Sequence, residues 1–119
     1  MGKLTTHVLD TANGRPAAAV RVRVYRIGAG DQRVLMHEAV TNADGRCDAP
    51  LLEGSRFEAG VYELVFGAGA YFGEQGSAGA RPPFVGDVVL RFGIADAAQH
   101  YHVPLLVSPW SWTPCRQGR

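Results

Sequence analysis

The residues of this chain best suited to proton transfer are its histidines. Two of them, His100 and His102, stand two apart in QHYHVPLLVSP, residues 99–109. Imidazole titrates near neutrality, so it can take a proton from water and return it within one reaction cycle. The stretch reads as a β-strand, in which an i,i+2 pair shares one face, and Pro104 and Leu106 continue that face. The face therefore runs from polar to apolar, as the wall of a pocket does. His7, in LTTHVLD (4–10), interrupts a second run otherwise built for burial. Periodicity alone does not bring His7 to His102; only the fold can. His37, among the charged neighbours of MHEAV, reads as an exposed strand histidine.

Other chemistries find less support. H-x-H with a distant third histidine has the outline of a three-histidine zinc site, but no carboxylate or cysteine spacing completes a ligand set, so no metal is expected. Ser108 and Ser111 lie near the histidines without a nucleophile-elbow pattern. Cys47 and Cys115 form no CxxC, and nothing beside either would depress a thiol pKa, so both read as reduced and inert. GAGD and GAGA lack the G-x-G-x-x-G spacing of a phosphate cradle. Arg46 follows the turn NADG. By pattern alone it is a surface arginine at a strand start. In a site it would be a fixed cation whose rigid fork of donors suits an anionic or carbonyl-bearing ligand.

These residues must be positioned by strands. Gly and Pro together number 22 of 119 residues and fall between apolar runs, which predicts many short strands joined by turns. AVRVRVYRI (19–27) alternates strictly, with Val20, Val22 and Val24 on one face. Further strands are expected at 4–10, 33–41, 60–68, 87–94, 99–108 and after Pro109, with a very short one at RCD (46–48). The segment 69–86 is irregular and holds at most one or two helical turns near Tyr71–Gln75. Seven or eight strands with regular turns predict a single all-β domain over residues 1–119, an antiparallel β-sandwich. Pro114 cannot donate to a ladder, so the last strand is expected at an edge or a subunit contact.

The composition, 46% apolar and 19% charged, is that of a globular domain. A formal net charge of +1 gives no reason to expect a nucleic-acid or membrane partner. No secretory h-region opens the chain and no apolar run reaches bilayer length, so a cytoplasmic location is expected.

Taken together, LTTHVLDTANGRPA, TNADGRCDAPLL, YELVF and RFGIADAAQHYHVPLLVSP resemble the transthyretin-like 5-hydroxyisourate hydrolases, in family order from about Leu4 to Pro109. The resemblance implies a transthyretin fold of two four-stranded sheets with one short helix. It also implies a homotetramer assembled as a dimer of dimers, with active sites in the channel between dimers. The implied reaction opens the ring of 5-hydroxyisourate with water in urate breakdown, without a cofactor. The family's catalytic set maps onto His7, Arg46 and His102. Arg46, His100, Cys115 and Arg116 are implied substrate contacts. The tail departs from the family's Tyr-Arg-Gly-Ser ending. In CRQGR, aligned without a gap, Cys115 replaces the tyrosine, Arg116 keeps the arginine, Gln117 and Gly118 replace glycine and serine, and Arg119 is extra; with a one-residue insertion, Gly118 keeps the glycine and Arg119 stands where serine is expected. Three readings follow: a hydroxyisourate hydrolase, a non-catalytic transthyretin-like binder of a small planar ligand, and a zinc-dependent hydrolase.

Overall fold

The computed structural model describes residues 1–76 and 79–118. In chain order the elements are β1 (Lys3–Asp10), β2 (Arg15–Pro16), β3 (Arg21–Ile27), β4 (Arg33–Val40), β5 (Leu52–Glu53), β6 (Gly60–Phe66), α1 (Ala68–Glu74), β7 (Val88–Ile94), β8 (Tyr101–Val107) and β9 (Trp112–Pro114). They form two sheets. One runs β4-β3-β6-β7; the other runs β2-β1-β8-β9, with β5 also paired to β1. β2 and β5 are two-residue segments on the same free side of β1, so this second layer is four strands wide.

The alternation seen in the sequence produces the sandwich. Val22 and Val24 of β3 and Val88 and Ile94 of β7 point inward and are nearly inaccessible. They meet Leu4 and Val8 of β1 and Leu105 and Val107 of β8 in one core. Each such side chain, fully buried, contributes roughly 1.5–3 kcal/mol of transfer free energy. Tyr62 and Phe66, both fully buried on β6, fill the centre. β9 is the edge strand of its sheet, where Pro114 costs no ladder bond.

The sandwich is antiparallel with one exception among the described residues. β1 and β8 pair in parallel, from Leu4↔Tyr101 to Asp10↔Val107. They come from opposite ends of the chain, and the whole β4-β3-β6-β7 sheet lies in their crossover, the long connection that parallel pairing demands. α1 caps that connection. It buries Ala68, Tyr71 and Phe72, and the Tyr71 hydroxyl donates to Asp10 Oδ2 at 2.7 Å. Asp10 also accepts from the backbone N–H of Ala12 and Asn13 and from the Asn13 amide. Burial pushes its carboxyl pKa up, but these hydrogen bonds outweigh that and hold it below the usual value. The C-terminal end of β1 is thereby fixed against both the helix and the following turn.

Candidate active site

Strand β1 divides its side chains cleanly. Leu4, Thr6, Val8 and Asp10 are buried; Thr5, His7 and Leu9 are half-buried on the opposite, outer face. β8 does the same, with Tyr101, Val103, Leu105 and Val107 inward and His102, Pro104 and Leu106 outward. The parallel register sets Thr5 beside His102 and His7 beside Pro104. His7 and His102 are therefore diagonal neighbours on one face. Strand spacing and rise place their Cα atoms on the order of 8 Å apart.

The turn NADG brings in the cation. Asn42 Oδ1 accepts from the N–H of Asp44 and of Arg46, at 2.9 and 3.2 Å. Gly45 N–H donates to the Asn42 carbonyl at 2.9 Å. Gly45 has φ +76°, and a Cβ there would lie 2.4 Å from the Val8 carbonyl oxygen, so only glycine lets the turn lie this close to β1. The chain leaving the turn forms an antiparallel bridge, His7↔Arg46. Residues directly opposite in such a pair project to the same side, with Cβ atoms roughly 4.5–5.5 Å apart. The short strand expected at RCD is this bridge, and it delivers Arg46 to the histidine face.

Hydrogen bonds orient both imidazoles. His7 Nε2 lies 2.8 Å from the Asp44 carbonyl oxygen. A carbonyl only accepts, so Nε2 carries the proton, and the neutral ring keeps its lone pair on Nδ1. His102 Nδ1 lies 2.9 Å from Thr5 Oγ1. When that nitrogen donates to the hydroxyl, the lone pair of His102 is on Nε2. The pKa of His102 is pushed below its ordinary value, first by burial, then by the Arg46 cation and by His7. His102 is thus held neutral, as an acceptor of protons, to lower pH than a free imidazole.

The tail completes the face. Past β9 the pairing with β8 resumes at His102↔Gln117, through His102 N–H to the Gln117 carbonyl at 2.8 Å and Gln117 N–H to the His102 carbonyl at 2.7 Å. Leu105↔Pro114 is three residues along each strand, so the register runs on without a slip. Alternation then places Gln117 on the face of His102 and Cys115 on that of Pro104, because Cys115 N–H donates to the Pro104 carbonyl at 3.3 Å.

Two expectations need correction. Strand β8 begins at Tyr101, so His100 stands before the ladder, exposed, and strand alternation does not tie it to the face of His102. Arg116 pairs with the inward-facing row. Its guanidinium lies over the Tyr101 ring at 4.3 Å and donates to Gln99 Oε1 at 3.0 Å, to the His100 carbonyl at 3.3 Å and to the Gly118 carbonyl at 2.6 Å. It braces the tail from behind the face. Arg119, a further concern of the sequence, lies outside the described residues. Two residues that sequence reasoning missed are Thr5 and Gln117. Thr5 carried a signal, since it sits two residues from His7 and must share its face.

Among the described residues no group of three or more His, Cys, Asp or Glu is arranged to hold a metal ion. The ring nitrogens His7 Nε2 and His102 Nδ1 already have protein partners. Both cysteines are free. The face is open in a single chain: the best-defined hollows lie beside α1 and between β7 and the tail, and neither is lined by His7, Arg46 or His102.

The sequence profile of the HIUase/Transthyretin family matches residues 4–117. The 5-hydroxyisourate hydrolase of Pseudomonas aeruginosa is 52% identical over 116 residues, 98% of this chain and 91% of that protein. Among solved structures, (S)-allantoin synthase superposes with a TM-score of 0.91 at 46% identity, covering 98% of this chain and 43% of that one. Sea bream transthyretin in complex with thyroxine superposes with a TM-score of 0.88 at 30% identity, covering 98% of this chain and 96% of that one. A profile match over residues 4–117, with relatives of about 50% identity over nearly the whole chain, shows that the chain belongs to the HIUase/transthyretin family.

Proposed function

We infer that the chain is a 5-hydroxyisourate hydrolase that opens the substrate's six-membered ring with water, in urate catabolism, giving 2-oxo-4-hydroxy-4-carboxy-5-ureidoimidazoline. The observation that carries this reading is the convergence of His7, His102 and Arg46 on one sheet face, with His102 held neutral by burial and by its two cationic or titratable neighbours.

The geometry suits acyl hydrolysis. Water attacks the ring carbonyl carbon, and His102 Nε2 takes the proton that water loses. The carbonyl oxygen becomes an oxyanion, which the Arg46 guanidinium stabilises beside it. The carbon–nitrogen bond then breaks, the proton returns from His102 to the leaving nitrogen, and the new acid is released as a carboxylate. Thr5 holds the productive tautomer of His102. His7, fixed by the Asp44 carbonyl, orients the water by accepting a hydrogen bond from it at Nδ1. No cofactor enters these steps.

The protomer acts in a homotetramer, a dimer of dimers in which a second copy covers the open face. Exposed Leu106, on the outer face of β8 with His102, supplies apolar surface for that contact. Residues 1–119 act as one domain, and no nucleic-acid or membrane partner is required. No helix of the described residues is long and apolar enough to cross a membrane. Two free thiols suit a reducing, cytoplasmic compartment.

The test follows the loss of freshly generated 5-hydroxyisourate, with and without a chelator, for the wild type and for Cys115→Tyr, which restores the family's tail tyrosine. Wild-type turnover far above the spontaneous rate, unchanged by chelator, is expected. Failure of both proteins to turn over substrate would favour a binder of planar ligands, which the 30% identity to a thyroxine-bound transthyretin keeps as the second reading. Chelator-sensitive turnover would favour zinc. Turnover by Cys115→Tyr alone would make the altered tail the cause.

A further inference from the structure

We propose that Gln117 is a substrate-binding residue of this site, its carboxamide reading the adjacent N–H and C=O groups of a cyclic ureide from the side of His102 opposite Thr5. The proposal rests on the hydrolase reading and extends it to a residue that stands, in the ungapped alignment, where the family's tail has glycine.

Placement is the first argument. Gln117 and His102 exchange both backbone hydrogen bonds, at 2.8 and 2.7 Å, so they form a hydrogen-bonded antiparallel pair. Such a pair has Cα atoms about 5.5 Å apart and side chains on one face. Thr5 flanks His102 on the other side through β1. A six-membered ring lying over His102 Nε2 therefore falls within reach of a side chain as long as glutamine's.

Preorganisation is the second. The backbone on either side of Gln117 is tied down while its own side chain is exposed. On one side, Arg116 is stacked on Tyr101 and donates to Gln99, His100 and Gly118. On the other, Gly118 takes φ +90°, and a Cβ there would lie 3.1 Å from the His100 carbonyl oxygen, so the tail closes onto β8 only with glycine at that position. A side chain on a fixed backbone loses less entropy when it binds.

Chemistry is the third. A carboxamide offers two N–H donors and one carbonyl acceptor, the complement of a lactam or ureide edge. It is uncharged, so it adds donors and an acceptor without adding charge beside His102. Arg116, by contrast, is fully engaged behind the face and is a positioning residue for the tail.

The test compares wild type, Gln117→Ala and Gln117→Glu in the full chain, with 5-hydroxyisourate as the probe. For Gln117→Ala, KM is expected to rise about 3- to 10-fold with kcat within about twofold, the pattern of lost binding shared by ground and transition states. For Gln117→Glu, KM should rise further. The acid limb of kcat/KM should also move to higher pH, because a carboxylate beside His102 favours its protonated form. A merely structural tail residue would not move that limb. Wild-type turnover with an unchanged KM in Gln117→Ala, or a lowered kcat at unchanged KM, would overturn the assignment alone. Absence of wild-type turnover would remove the hydrolase reading and the assignment with it.

Discussion

Replacing His102 with asparagine is expected to lower kcat/KM for 5-hydroxyisourate by about 10²- to 10⁴-fold, the range that general-base catalysis supplies. The substitution is chosen to leave structure in place. His102 is only half-buried, its backbone remains paired with Gln117 and Thr5, and an asparagine amide can still donate to Thr5 Oγ1. What is lost is the basic lone pair on Nε2. The assay is the decay of freshly generated substrate, beside a thermal melt to establish folding. A folded variant with wild-type turnover would remove His102 from the mechanism.

Arg46→Gln is expected to lower kcat by about 10²- to 10³-fold, the cost of removing a donor aimed at a developing oxyanion. It has a second, independent signature. The Arg46 cation is the largest charge contribution holding the His102 pKa down, after burial. Without it His102 binds a proton more readily, so the acid limb of kcat/KM should move up toward about 6.5, the ordinary imidazole value. Arg46→Lys restores the charge without the planar fork. It should return the limb to its wild-type position while recovering only part of kcat. Rate loss without any movement of the limb in Arg46→Gln would mean that Arg46 does not face His102.

Much of this was legible in the sequence where local periodicity carries the information. The alternation of AVRVRVYRI gave the buried row of β3, the run at 87–94 marked β7, and the turn NADG with RCD after it marked the point where Arg46 rejoins a sheet. Pro114 announced an edge strand. Pairing between distant strands was not legible. Nothing in LTTHVLD or HYHVPLLV states that they lie side by side in parallel, because side-chain alternation fixes a face and leaves the partner open. Alternation puts Thr5 on the face of His7, but its role and that of Gln117 come from a cross-strand register set 97 and 15 residues away in the chain. His100 and Arg116 sit differently from what the family resemblance implies. Strand β8 starts at Tyr101, two residues later than the pattern suggested, so His100 falls before the ladder, and the tail pairs so that Gln117, and not Arg116, shares the face of His102. In a strand with period two, neighbours such as Arg116 and Gln117 lie on opposite surfaces.

The account centres on one statement: a neutral His102, held by Thr5 and kept from protonation by burial, Arg46 and His7, takes the proton from water. NMR titration of the histidine imidazoles, with His102 assigned by its absence in His102→Asn, measures this directly when set beside the pH dependence of kcat/KM. The predicted result is that His102 titrates below about 6.5 and that the acid limb of kcat/KM falls at the same pH. A His102 that titrates at or above that value, or an acid limb that follows another group, would contradict it.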